Sequence, residues 1–461
     1  MKSSLAELQP HIAGAAMTAD AAFEGVSTDS RTAAAGSLFV ALRGERFDAH
    51  DFLDEVVARG VAAVVVDRPM PGLKAPALVV PDTRAALGRI AAFWRGRFDL
   101  PVIGVTGSNG KTTVKEMIAS ILAAHFGADH CLATRGNLNN DIGVPLTLFR
   151  LQPACRAAVI ELGMNHPGEI AQLAAMAWPT VGLVNNAQRE HQEFMASVEA
   201  VAEENGAVIR ALGSQGVAVY PADDTYASLW RGYAAERGCR SLTFGLSPDA
   251  DINCTYAAND FGSDLSITAN GVRFGVRLSA AGEHNVRNAL AATACTLAIG
   301  VPTQSIVRGL EAFAPVNGRL QRKQARSGAL VIDDTYNANP DSVRAAIDVL
   351  ARAITPRQLV LGDMGEVGDQ GPQFHREIGA YAKAQGIERL LTLGELAADA
   401  ADAFGAGAEH FADIDAIGKA AEQFAVAGTT TLVKGSRFMK MERVVKRLVE
   451  EATPQHVQEV H

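Results

Sequence analysis

The chain has 461 residues, 48% of them hydrophobic and 20% charged, which allows a sizeable core and excludes wholesale disorder. Its formal net charge of -9 makes it a poor general polyanion binder, so nucleic acid is not a favoured partner. At roughly 100–200 residues per domain the length suggests about three domains.

The first 20 residues lack a basic start followed by an apolar run, so no signal peptide is expected. No stretch of about 18 apolar residues predicts a membrane span, and the expected compartment is the cytoplasm. The 5 cysteines, Cys131, Cys155, Cys239, Cys254 and Cys295, include no C-x-x-C pair and read as reduced thiols.

Residues 37–42 (SLFVAL) and 62–66 (AAVVV) predict strands, with a helix over 52–59 between them: a small α/β domain. The charged, proline-ended stretch 95–101 (RGRFDLP) marks a boundary. A strand over 102–106 then enters a glycine loop. A helix follows from about 111 to 126, where Val114, Met117, Ile118, Ile121 and Leu122 share one face. Residues 157–162 and 181–185 are further buried-strand candidates separated by helices, which predicts a parallel sheet. Residues 265–269 and 272–278 flank Asn270-Gly271 and read as a hairpin, because Asn-Gly supplies the positive φ angles of a tight turn.

A second boundary falls at 314–320 (APVNGRL). Beyond it, strands over 330–333, 358–362, 389–393 and 430–433 alternate with helices. The expected fold class is therefore α/β, with domains at 1–98, 99–316 and 317–461. These are a small N-terminal α/β domain, a central parallel-sheet P-loop domain with an antiparallel addition, and a C-terminal α/β domain.

The run 102–113 (VIGVTGSNGKTT) carries the chemistry. Gly107 and Gly110 lack β-carbons, so backbone N–H groups can approach phosphate oxygens beside Ser108 and Asn109. The following helix adds its positive end through Thr112 and Thr113. Lys111 is placed to reach the β- and γ-phosphates, and the Thr112 hydroxyl to bind Mg²⁺. Strict P-loop spacing wants a glycine where Val105 stands. The loop alone specifies a nucleoside triphosphate and leaves kinase, GTPase, ATPase and ligase open.

Other segments resemble one family. TGSNGKTT, residues 134–145 (TRGNLNNDIGVP), 159–166 (VIELGMNH), 282–288 (GEHNVRN), 333–340 (DDTYNANP) and 433–437 (VKGSR) are similar to the Mur ligases. The likeness includes the branch that joins D-alanyl-D-alanine (D-Ala-D-Ala) to a UDP-linked muramoyl (UDP-MurNAc) tripeptide. The N-terminal 27–31 (STDSR) and 44–51 (GERFDAHD) fit the same branch. Folylpolyglutamate synthetases share the loop but not this N-terminal module. A kinase or GTPase has no need of the later segments in this order, and a non-enzymatic nucleotide-binding module stays possible at this level.

The resemblance implies three domains, for the UDP part, for ATP, and a Rossmann-like C-terminal domain that closes over the site. It implies ATP and Mg²⁺ as cofactors, a UDP-MurNAc-tripeptide and D-Ala-D-Ala as partners, and a monomer. The implied metal ligands are Thr112, Glu161 and His191. Glu161 also ends an apolar strand, where α/β sheets place ligands. His284, Asn285 and Asn288 are implied at adenine, Asp334 at ribose, and Arg319 at the phosphates on closure. Ser30, Arg31, Arg43, Asp48 and His50 are UDP-sugar candidates. Asn137, Asn139, Asn140, Asn337 and Asn339, with Lys434 and Arg437, are candidates for peptide and carboxylate binding. Many members carry a lysine, carbamylated to support a second Mg²⁺, where this chain has Asn205. Asparagine cannot be carbamylated, so that second site is not expected in the family's form. Either it is lacking, or Asn205 holds it with Glu203 or Glu204. Bicarbonate dependence from this position is not expected.

Overall fold

The computed structural model describes residues 1–190, 192–259 and 261–449. Three α/β sheets follow one another along the chain. The first has five strands in the order Ala16–Met17, Ala77–Val79, Ala63–Val66, Leu38–Val40, Val26–Ser27. Only its first pairing is antiparallel. The helix Thr83–Arg95 covers this sheet, and the Asp82 carboxylate caps it by accepting from Arg84 and Ala85 N–H.

The central sheet has nine strands. From Cys131–Ala133 it runs through Ala157–Glu161, Val102–Thr106, Val181–Val184, Val217–Pro221 and Arg240–Gly245 to Ile252–Asn259, all parallel. Gly262–Ala269 and Val272–Leu278 extend it antiparallel. The expected turn joins them, with Asn270 at φ 50° and Gly271 at φ 75°. The inner strands are apolar throughout because helices cover both faces. Val102 enters the core on one face, while Ile103 and Val105 enter the core on the other. The helix Lys111–Phe126 has the expected bounds and buries Val114, Met117, Ile118, Ile121 and Leu122.

The third sheet has six strands, in the order Gln321–Gln324, Leu330–Asp334, Thr430–Lys434, Arg357–Gly362, Arg389–Leu393, Ala408–Phe411. Only the first pairing is antiparallel.

The joints between these units differ. One apolar core runs without interruption from Leu38, Val65 and Leu87 of the first unit to Leu148, Leu173 and Trp230 of the second. Arg95 closes that joint: its buried guanidinium donates to the carbonyls of Ala177 (3.0 Å), Trp178 (3.2 Å), Phe98 (2.6 Å) and Leu100 (3.4 Å). The third unit packs two cores of its own, which share with the centre little beyond Ala281 and Phe261.

After Val102–Thr106 the chain crosses to Cys131–Ala133 on one side and later to Val181–Val184 on the other. The phosphate loop thus leaves the sheet at a topological switch point, where a crevice opens outside the carboxyl ends of the strands.

Candidate active site

A cavity of about 1210 Å³ fills that crevice and is roofed by segments of the third unit. Gly107 (φ 132°) and Gly110 (φ 83°) shape its floor. A β-carbon on Gly107 would lie 2.9 Å from Asn185 Cβ, and one on Gly110 would lie 2.5 Å from Asn288 Oδ1. Only glycine satisfies both the angle and the approach.

The loop's N–H groups divide into two sets. Those of Gly107, Ser108 and Asn109 are held from within, by Asn205 Oδ1 (2.8 Å), the Asn186 carbonyl (3.2 Å) and Asn186 Oδ1 (2.9 Å). Those of Gly110, Lys111, Thr112 and Thr113 find no partner among the described residues and open the helix. This second set is the anion-binding end. Lys111 Nζ lies against the Gly107 and Ser108 carbonyls (2.5 and 3.0 Å) and both oxygens of Glu190 (3.1 and 3.3 Å).

Three distant residues converge beside the loop. The Thr112 hydroxyl donates to Glu161 Oε1 at 3.1 Å and accepts from Arg319 Nη2 at 2.9 Å. Asn139 Nδ2 donates to the same Glu161 oxygen at 2.9 Å. Glu161 Oε2 is buried and has no partner. A desolvated anionic oxygen without a donor costs several kcal/mol on the scale of about 2–7 for a buried polar group. Beside a threonine hydroxyl and a phosphate loop it suits a hard cation completed by water and phosphate oxygens. Thr112 and Glu161 therefore fit Mg²⁺. His191 lies outside the described residues.

Asparagines tie the nucleotide end together. Asn285 Nδ2 donates to the Ala281 carbonyl (2.7 Å), Asn288 Nδ2 to Asn285 Oδ1 (3.1 Å), and Asn185 Nδ2 to Asn288 Oδ1 (3.0 Å) and the Asn109 carbonyl (2.8 Å). Asn185 thus braces the loop directly, while Asn288 and Asn285 support Asn185 and line the cavity. His284 lines it too. Burial, with Lys434 nearby, pushes its imidazole down to about 4, so it is neutral.

The third unit meets the loop through polar groups. Asn339, which caps the helix Pro340–Ala351, donates through Nδ2 to Asn109 Oδ1 at 2.9 Å. Arg189 grips Asp341 (2.7 Å) and Glu377 (2.9 Å). Asp334 takes Leu320 N–H on one oxygen (3.1 Å) and Lys434 Nζ on the other (2.6 Å). Burial drives its carboxyl up against the pull of Lys434. Leu320 holds φ 52°, a strained value for leucine, directly after Arg319. Asp334 and Lys434 therefore anchor the segment that carries Arg319.

Several expected ligands have their amides or charges engaged elsewhere. Asn140 caps the start of the helix Gly143–Leu148 by accepting from Gly143 N–H at 2.8 Å. Asn337 Oδ1 accepts from Ala338 N–H at 2.9 Å. Asn137 and Arg437 line the cavity, Arg437 beside Glu442 at 3.3 Å. Asn205 is buried, 1% exposed, and Glu204 caps the helix Glu169–Ala177 through Gly168 and Ile170 N–H.

The N-terminal candidates do not join this cavity. Arg43 and Arg68 both hold Asp48 at 3.1 Å, and the buried His50 accepts from Asp67 N–H at 3.2 Å. Arg31 pairs with Asp29, and Ser30 is half-buried in the adjoining turn. Sequence reasoning missed Asn185, Asn186, Gln188, Arg189 and Glu190. They follow the carboxyl end of Val181–Val184, and the crevice rule applied to that strand would have found them.

Comparison with known proteins agrees over the whole length. Residues 22–95, 105–296 and 318–437 match models described as the Mur ligase family catalytic domain, the Mur ligase middle domain and the Mur ligase glutamate ligase domain. The chain is 41% identical over 464 residues to the UDP-N-acetylmuramoyl-tripeptide–D-alanyl-D-alanine ligase of Escherichia coli (strain K12), covering 98% of this chain and 99% of that one. A crystal structure of MurF from Acinetobacter baumannii superposes with a TM-score of 0.91 at 35% identity, covering 98% and 99% of the two chains. MurF from Thermotoga maritima in complex with ADP gives 0.83 at 26% identity, covering 92% and 97%.

Proposed function

This chain belongs to the Mur ligase family, and we infer from that membership and from the cavity that it is an ATP-dependent ligase. It joins D-alanyl-D-alanine to UDP-N-acetylmuramoyl-tripeptide, completing the UDP-linked pentapeptide precursor of peptidoglycan. The observation that carries the chemistry is the convergence of Glu161 and Arg319 on the Thr112 hydroxyl beside the helix N-terminus.

A carboxylate does not condense with an amine at neutral pH. In our reading its oxygen first takes the γ-phosphoryl group, the bond to the bridging oxygen breaks, and ADP leaves. The amine then attacks the acyl carbon, loses a proton, and phosphate departs. Positioning and charge neutralisation govern such a transfer. The free N–H groups of residues 110–113 bind the β- and γ-phosphates. Lys111 exchanges Glu190 for phosphate oxygen, and Arg319 reaches the transferred group from the third unit. Mg²⁺, held by Thr112 and Glu161, neutralises phosphate charge when bound.

His284, Asn285 and Asn288 form the wall for the base. The division at 1–98, 99–316 and 317–461 gives each partner its own unit. Arg31 and Arg43 are exposed cations of the first, paired with Asp29 and Asp48 and suited to exchange them for the UDP diphosphate. Among the described residues no helix is long and apolar enough to cross a membrane. We take the chain to act as a cytoplasmic monomer.

The test is phosphate release by the purified chain. Release that requires UDP-MurNAc-tripeptide and D-Ala-D-Ala together, and that glutamate does not support, is expected. Release supported by glutamate would favour the folylpolyglutamate reading instead.

A further inference from the structure

Asn205 occupies an unusual position for an asparagine. It stands in the middle of the helix Val198–Arg210, where asparagine is a poor helix former, and it is 1% exposed. Its side chain makes one hydrogen bond, from Gly107 N–H to Oδ1 at 2.8 Å. Its Nδ2 is buried without a partner. Its backbone carbonyl accepts from the Thr106 hydroxyl at 3.1 Å, which fixes the helix against the strand end that feeds the loop.

An apolar residue would pack here without an orphaned amide, so the acceptor is what the position offers. Gly107, at φ 132°, begins the turn that aims the following N–H groups upward. Two acceptors on Asn186 secure Ser108 and Asn109 N–H from the neighbouring strand end. Asn205 supplies the third, from below, 98 residues further on. Without it, Gly107 N–H is buried and unpaired, and the peptide plane is free to turn toward the cavity.

We propose that Asn205 is a positioning residue for nucleotide binding. It holds the first peptide of the phosphate loop from behind, so that only the N–H groups of residues 110–113 face the phosphates. The residue acts through the backbone: its Oδ1 holds Gly107 N–H at 2.8 Å. This chain thus keeps its loop ordered with a neutral amide at the position where the family resemblance implies a carbamylated lysine. The proposal rests on the reading of residues 107–113 as a nucleotide site.

The experiment is ADP binding by calorimetry to the full chain, with Mg²⁺ and separately in EDTA. It compares the unaltered protein with Asn205→Leu, which keeps the branched outline without the amide, and Asn205→Ala, which favours the helix; either variant that folds suffices. Expected is a roughly tenfold weaker Kd in both arms. The KM for ATP should rise by a similar factor, while kcat and the KM for the UDP-linked tripeptide change less than about threefold. Weakening confined to the Mg²⁺ arm would assign Asn205 to a metal and overturn the proposal. Unchanged ADP affinity in both arms would overturn it as well while leaving the nucleotide site intact. An unaltered protein that binds no ADP would overturn both readings together.

Discussion

Arg319 Nη2 donates to the Thr112 hydroxyl at 2.9 Å although 207 residues separate the two in the chain. The guanidinium also stacks 4.0 Å from the centroid of the Tyr336 ring, and its Nε is buried without a partner. An unsatisfied donor beside the phosphate loop has a ready acceptor once a triphosphate is present. Arg319→Ala is expected to lower kcat by roughly 10²-fold or more, the scale for losing one donor to a developing anion. Arg319→Lys should not restore it, because lysine lacks both the planar stack and the second donor. Steady-state phosphate release measures both. Full activity in the lysine variant would reduce Arg319 to a mere point charge.

Lys111→Ala is expected to abolish turnover, by about 10²–10³-fold at least, since the γ-phosphate loses its cationic partner. The variant also removes the cation that offsets Glu190, whose side chain is only 10% exposed, and leaves that negative charge close to the phosphates without the balance of Lys111. Glu190→Gln added to Lys111→Ala should therefore recover part of the lost ADP affinity. Near-normal turnover in Lys111→Ala would refute the triphosphate site.

Glu161→Gln keeps the shape and removes the charge at Glu161 Oε2, a buried carboxylate oxygen that has no donor. The apparent affinity for Mg²⁺ is expected to fall by about 10- to 100-fold, the range seen when a metal's support is damaged. Titrating Mg²⁺ at fixed ATP reads it directly. An unaltered Mg²⁺ requirement would place the ion elsewhere.

His284 gives a pH dependence with a definite sign. Its folded value of about 4 lies below the ordinary 6.5, so the unfolded chain binds its proton first. The stabilisation from a neutral His284 is complete above 6.5 and is lost as pH falls from there toward 4. It amounts to something on the order of 1–3 kcal/mol. Thermal unfolding from pH 4 to 7 should show His284→Asn losing less stability on acidification than the unaltered protein. Parallel curves would rule the imidazole out as the cause.

The loop, its helix and the strands Val102–Thr106, Ala157–Glu161 and Val181–Val184 were legible because each obeys a local rule, although the inner strand Val217–Pro221 went unnamed. Gly107 and Gly110 serve a turn, residues 114–122 share a helical face, and continuous apolar runs mark strands covered on both sides. Arg240–Gly245 and Ile252–Asn259 were not legible. The first opens on arginine, and the second carries polar residues toward the open end of the sheet. Cys131–Ala133 is too short to show a period. At the site, Thr112 and Glu161 could be named from the sequence. That Asn139 turns inward to hold Glu161, while Asn140 spends its oxygen on a helix end, depends on backbone geometry that no spacing encodes. The partnership of Arg189 with Asp341 spans 152 residues, and neither residue announces it.

The two joints of the molecule respond to salt in opposite directions. The first and central units share an apolar core, and ions excluded from protein surface strengthen such burial. The third unit is held to the centre by Arg189, Asp341 and Glu377 and by the Asn109–Asn339 amides. Contacts between half-exposed charges weaken as the Debye length falls from about 10 Å at 0.1 M to about 3 Å at 1 M. Rising ionic strength is therefore expected to loosen the polar contacts of the third unit with the centre and to leave the apolar joint intact. The rate of nucleotide exchange, rather than the affinity of the open loop, is the quantity that salt should move most.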